Sequence, residues 1–159
     1  MTIAWVFPGQ GSQKIGMADS LISLPGAKER FEYASEMISR DLFKICCGEN
    51  SSNSPLHDLN DTRNTQLAMF VVESLLVDEL RSQGRKASLV AGHSLGEIVA
   101  LYAAQVFDMK TALQLLHRRS ELMSNSGGGA MTAILGFDRS QLKELIDGTK
   151  GVVIANDNS

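Results

Sequence analysis

The sequence predicts an α/β fold with a mainly parallel sheet. Two observations carry this prediction. Short apolar runs alternate with stretches of helical periodicity, and two of those runs end in glycine-bearing turns, one leading straight into a helix.

Residues 2–7, rich in Trp, Val, Ile and Phe and closed by Pro8-Gly9, read as a buried first strand. Gly9-Gln10-Gly11-Ser12-Gln13 follows as a loop. Ala27 to about Arg40 has helical spacing, with Phe31, Ala34, Met37 and Ile38 on one side. Gly48 to Pro55 is a polar, exposed loop. From Asn64 to Leu80 apolar residues nearly encircle the axis, the pattern of a helix buried within a layered domain. Ser88–Ala91 is a short strand, and Ser94–Val106 a helix that starts at once. Asp108 can cap a further helix running through Met123. Gly127-Gly128-Gly129 breaks the chain. Beyond it, 130–137 and 151–155 read as strands around a helix at 140–146, a β-α-β unit whose last strand lacks a partner. That ending suggests part of something longer.

The 159 residues are 43% hydrophobic and 21% charged, the balance of a soluble globular protein. A net charge of −3 and a pI near 5.6 leave no footprint for nucleic acid or an anionic membrane. No run approaches the roughly 20 apolar residues of a bilayer span, and the N-terminus does not read as a signal peptide. Cys46 and Cys47 are adjacent and lack CxxC or Cys/His spacing, so they read as reduced structural thiols and no metal site is expected.

Gly92-His93-Ser94-Leu95-Gly96 has the G-x-S-x-G spacing of a nucleophile elbow, strand before and helix after. Such a turn strains the serine and lifts its hydroxyl clear of the sheet; Gly92 and Gly96 fit because the turn is crowded. The helix start aims positive N–H groups at the same spot, making Leu95 N–H a natural oxyanion donor. Gly9-Gln10-Gly11 also follows a strand but fails as a dinucleotide fingerprint, with Lys14 where glycine is required, and as a P-loop. It can present a backbone N–H to an oxyanion, or be a plain turn.

Arg119 falls near the centre of a helical face made by Ala112, Leu115, Leu116, Leu122 and Met123, with Lys110, Gln114, His117 and Glu121 opposite and Arg118 at the edge. A guanidinium among apolar residues needs an anion, and its planar fork fits a carboxylate. Either a structural ion pair or a clamp for a substrate carboxylate satisfies that. The histidines are poor bases for Ser94: His93 points away from its exposed face, His57 belongs to a polar loop, and His117 to a solvent face.

Phe7-Pro8-Gly9-Gln10-Gly11-Ser12-Gln13, Gly92-His93-Ser94-Leu95-Gly96-Glu97 and an arginine 25 residues after the serine together resemble the malonyl-CoA:acyl carrier protein transacylase family. Leu59–Gln66 resembles the segment before its buried helix, with Leu67 where proline is usual. The resemblance spans the whole chain but about the first half of the family. It implies Ser94 as the acylated nucleophile, Arg119 as the holder of the malonyl carboxylate, and Gln10 and Leu95 N–H groups as the oxyanion hole, with Gly9 and Gly11 shaping the substrate side. It further implies an α/β-hydrolase-like large domain over 1–126, with helices on both faces of its sheet. The first β-α-β of a small ferredoxin-like subdomain would occupy 127–159, and the catalytic histidine would lie beyond the position of Ser159.

The implied substrates are malonyl-CoA and the phosphopantetheine thiol of acyl carrier protein, without a bound cofactor, in a cytoplasmic monomer of fatty acid biosynthesis. Two rivals stand beside it: a serine hydrolase or thioesterase on the same elbow, and an inactive fragment or carrier-binding module.

Overall fold

The computed structural model describes residues 2–49, 54–127 and 129–157. Asn50–Asn53 of the expected polar loop, Gly128 of the glycine break and the final two residues lie outside these. The chain divides into two compact units, Met1–Gly127 and Gly128–Ser159.

In the first unit, β1 (Ala4–Phe7) and β2 (Leu89–Gly92) pair in parallel, Ala4 opposite Leu89 and Phe7 opposite Gly92. Helix α4 (Leu95–Ala103) packs on both strands. Side chains alternate along a strand, so Trp5, Phe7 and Val90 share one face while Val6 and Leu89 occupy the other, where Val6 is 73% exposed. Of the helices expected on both faces, the described residues cover one face of these two strands. Among the described residues the sheet has two strands, and the Val6–Leu89 side is open.

Helix α3 (Thr62–Ser82) forms the centre, packing against α1 (Ala27–Ile38), α2 (Leu42–Cys47), α4 and α5 (Met109–Asn125). Asp61 caps its start by accepting from Arg63 N at 2.9 Å. Asn64 through Leu75 are buried without interruption, as an axis apolar on all sides requires. Leu67 lies in the second turn, fully buried. The polar members of this stretch find partners: Thr65 Oγ1 donates to Leu59 O at 2.6 Å, and Asn64 Nδ2 to Leu56 O at 2.9 Å. Arg30 of α1 ties the bundle by donating to Ser74 at 2.7 Å and pairing with Asp78.

α2 is absent from the sequence reading. Six residues give less than two turns of periodicity, although Asp41 accepts from Lys44 N at 3.0 Å and Gly48 closes the helix with φ 74°.

Burial is not satisfied everywhere: Asn64 Oδ1 has no hydrogen-bond partner among the described residues, and Glu73 is the charged case. It is 8% exposed, and neither carboxylate oxygen has a hydrogen-bond partner among the described residues. Burial pushes its carboxyl up to about 8. Between the ordinary value near 4.5 and about 8 the folded state keeps a proton that the unfolded chain has released, so stability falls as pH rises through that window. Glu73→Gln should therefore gain more in Tm over the parent at pH 8 than at pH 5, by roughly 5 °C. Equal gains at both pH values in a thermal melt would disprove the assignment.

α5 starts at the expected cap, Asp108 accepting from Thr111 N at 2.8 Å. Its buried stripe differs from the expected one. Ala112, Leu113, Leu116 and Ser120 face inward, while Leu115, Leu122 and Met123 are exposed, Leu122 by 54%. α3 packs to one side of the apolar face rather than over its middle, so Arg119 lies at the border of the packed stripe and is half-buried. His117, expected on a solvent face, is also half-buried. Its Nδ1 has no hydrogen-bond partner among the described residues, and Nε2 lies 3.7 Å from Glu121.

The second unit holds α6 (Arg139–Asp147), capped by Asp138 accepting from Gln141 N at 2.9 Å. The strands expected at 130–137 and 151–155 are not formed. Their described residues carry no ladder, and Leu135 is 89% exposed. A strand is held by hydrogen bonds to a neighbour and by one covered face, and none of this unit's described residues is buried.

Candidate active site

The end of β1 and the turn after β2 lie side by side. His93 N donates to Phe7 O at 3.0 Å, continuing the ladder one residue past the strand. Ser94 then turns with φ 55° and ψ −109°, a left-handed excursion that a serine adopts only under constraint. The constraint is visible in the glycines. A Cβ on Gly92 would stand 1.9 Å from Gly96 O, and one on Gly96 would stand 2.2 Å from Phe7 O. Helix and strand backbones thus touch at this turn, and only glycine fits between them.

Ser94 is exposed at the N-terminus of α4, where Leu95 is the first helical residue. Leu95 N–H has no carbonyl one turn back inside its helix and points out of its positive end. The loop after β1 crosses beside the turn. Gly9 is buried, and a Cβ there would lie 2.7 Å from His93 O and 3.0 Å from His93 Nδ1. Gln10 and Gly11 are exposed. Gly11 N donates to Gln13 Oε1 at 2.7 Å, Gln13 Nε2 to Asn60 Oδ1 at 2.8 Å, and Gln10 Nε2 to Thr62 Oγ1 at 3.1 Å. The loop is therefore pinned to the start of α3.

Arg119 reaches the elbow from α5. Its Nη2 donates to Ser94 Oγ at 2.9 Å, and its Nη1 to Gln66 Oε1 at 2.7 Å. Among the described residues no carboxylate pairs with Arg119, so the ion-pair alternative for this residue has no partner here. A guanidinium and a helix N-terminus converge on one hydroxyl. That combination favours negative charge, whether an alkoxide, an oxyanion or an acyl group ending in a carboxylate.

The structure thus brings together Ser94, Leu95, Arg119 and the glycines of the turn, with Gly9, Gln10 and Gly11 alongside. His93 packs against Gly9, and His117 Nε2 lies 3.7 Å from Glu121. Two thiols could compete as nucleophiles, yet both are held protonated. Burial pushes Cys46 up to about 12; burial and a hydrogen bond to Asp19 push Cys47 up to about 11. Among the described residues no cluster of three His, Cys, Asp or Glu side chains could hold a metal, and no helix is long and apolar enough to cross a membrane.

Sequence reasoning missed Gln66, Asn60 and Thr62 as site residues. The available signal was Gln66 itself, a polar residue opening an otherwise apolar helical run, but nothing in periodicity tells which neighbour it meets.

The sequence pattern of the family described as acyl transferase domain matches residues 4–159. The malonyl CoA-acyl carrier protein transacylase of Synechocystis is 46% identical over 159 residues, which cover 100% of this chain and 52% of that protein. The polyketide biosynthesis malonyl CoA-acyl carrier protein transacylase PksC of Bacillus subtilis is 40% identical over 145 residues, 91% of this chain and 48% of that one. The crystal structure of the Synechocystis transacylase superposes with a TM-score of 0.87 at 45% identity, covering 100% of this chain and 52% of that chain. A malonyl-transacylase solved in complex with its type II PKS acyl-carrier protein gives a TM-score of 0.76 at 33% identity, with 93% and 48% covered. The chain spans about half the length of these relatives.

Proposed function

The chain belongs to the acyl transferase domain family, and on that premise we propose that it carries the nucleophile half of a malonyl-CoA:acyl carrier protein transacylase. The observation that carries the reading is the 2.9 Å hydrogen bond between Arg119 and Ser94. It sets a fixed positive charge beside the reacting oxygen, within reach of an acyl chain of malonyl length.

In this reading Ser94 Oγ attacks the thioester carbon of malonyl-CoA. The tetrahedral oxyanion sits against the N–H groups of Gln10 and Leu95. The carbon–sulfur bond breaks, and CoA leaves as the thiol with the proton that Ser94 gave up. The phosphopantetheine thiol of acyl carrier protein then attacks the malonyl ester by the reverse steps. Arg119, always protonated, cannot accept the serine proton. That task falls to a histidine in the second half of the family's length. Arg119 instead exchanges Ser94 for the malonyl carboxylate, a bidentate fit. No bound cofactor is required.

The finer architecture belongs to the same proposal: 1–126 as part of an α/β-hydrolase-like large domain, and 127–159 as the opening of a ferredoxin-like subdomain whose strands pair with later segments. So do a cytoplasmic location and a monomeric full-length protein.

A hydrolase on the same elbow has no use for a cation beside its serine. Arg119→Ala in the full-length protein should cut malonyl transfer relative to acetyl transfer by about 100-fold, the scale of leaving a desolvated carboxylate unpaired. Rates with both acyl-CoA donors, together with intact mass for the acyl-Ser94 adduct, make the test. Release of free malonate as fast as transfer, or undiminished malonyl preference in Arg119→Ala, would defeat the proposal.

A further inference from the structure

We propose that Gln66 sets acyl specificity at this site, as a neutral acceptor that aims the Arg119 guanidinium without consuming its charge. The inference rests on the malonyl reading above and deepens it. Gln66 is fully buried in the second turn of α3, where each end of its amide is committed. Nε2 donates to Met123 Sδ at 3.2 Å, and Oε1 accepts from Arg119 Nη1 at 2.7 Å. A thioether sulfur only accepts and a guanidinium only donates, so the amide has one allowed orientation. Reversed, it would set NH₂ against the guanidinium and oxygen against sulfur.

Met123 and Arg119 are four residues apart on α5 and share one edge of that helix. Gln66 bridges both from α3, so the α3–α5 packing fixes the plane of the guanidinium. With Nη1 held by Gln66 and Nη2 at Ser94, the fork cannot turn away from the nucleophile.

Neutrality is the decisive property. A glutamate has the same shape and would accept the same hydrogen bond, but it would pair with Arg119 as an ion. The cation would then be neutralised before any substrate carboxylate arrived. A methionine has similar volume and no amide oxygen, leaving Nη1 unheld and the plane free to swing. Both changes should act on recognition of the acyl carboxylate, and less on attack at the thioester. Gln66 is thus a positioning residue acting through Arg119.

The test compares malonyl-CoA and acetyl-CoA as donors to acyl carrier protein in the full-length protein, for the parent, Gln66→Glu, Gln66→Met and Arg119→Ala. Gln66→Glu should lower the malonyl-to-acetyl ratio of kcat/KM by at least about tenfold, mainly through malonyl KM. Gln66→Met should lower it less, by about threefold to tenfold. A ratio retained in Gln66→Glu while Arg119→Ala collapses it would overturn the role of Gln66 and leave the malonyl reading standing. A ratio unmoved by Arg119→Ala, or a parent that transfers no malonyl group, would overturn that reading and this inference with it. Failure of both Gln66 variants to fold, judged by thermal melting, would assign the residue to the core and overturn the inference.

Discussion

Ser94→Ala should leave the fold intact and lower acyl transfer on the order of 10⁴-fold or more, the scale seen when an activated nucleophile is deleted. Alanine lacks Oγ, so the acyl adduct cannot form and the Arg119 hydrogen bond is lost with it. The backbone strain stays, because alanine at φ 55° is no more comfortable than serine. Ser94→Gly separates the two properties. It should be equally inactive, yet more stable by about 1 kcal/mol, since glycine adopts that conformation without penalty. Intact mass after exposure to malonyl-CoA reads the first property, and thermal melting the second. An adduct that persists in Ser94→Ala would place the nucleophile elsewhere. A Ser94→Gly variant less stable than the parent would mean that the turn is not strained.

The largest effect on folding is expected at Gly92. Its added methyl would sit 1.9 Å from Gly96 O and 2.4 Å from Glu97 N, both backbone atoms of the helix start. No side chain can swing aside to relieve such contacts. β2 and α4 would have to separate, and α4 is also the helix that covers the sheet. Gly92→Ala should therefore cost at least about 4 kcal/mol, well beyond ordinary overpacking. In Tm that is a fall of roughly 8–16 °C, or failure to fold. Gly127 provides the comparison: a Cβ there meets nothing within 4 Å, so Gly127→Ala should stay within about 0.5 kcal/mol. A Gly92→Ala protein that melts like the parent would remove the steric account of the elbow.

The two glycine motifs are not equally informative. The elbow is local: strand, serine and helix are contiguous, so spacing alone places Ser94 and Leu95. Gly9 to Gln13 is local too, but its place beside the elbow depends on β1 pairing with β2 across more than 80 residues. Arg119 stands between these cases. Its helix and its cap at Asp108 are legible, but the helix is rotated relative to the expected burial. The apolar residues at Leu115, Leu122 and Met123 stay exposed, and α3 covers Ala112, Leu113, Leu116 and Ser120 instead.

By itself the sequence determined the parallel α/β class, the buried character of α3, the cap at Asp108, and the serine in its glycine turn. Each is written in the spacing of neighbours along the chain, because helix and strand periods and capping chemistry are local. Only the tertiary structure decided that Arg119 donates to Ser94 and that Gln66 holds Arg119. It also decided that Asn60 and Thr62 pin the loop of Gln10, and that 130–137 and 151–155 form no strands. These depend on which helix lies against which and on whether a backbone finds a ladder partner. Such pairings are fixed by packing across distant segments, and no local pattern encodes them. The elbow serine read from five residues thus meets a guanidinium only because α3 and α5 pack together and hold Arg119 there.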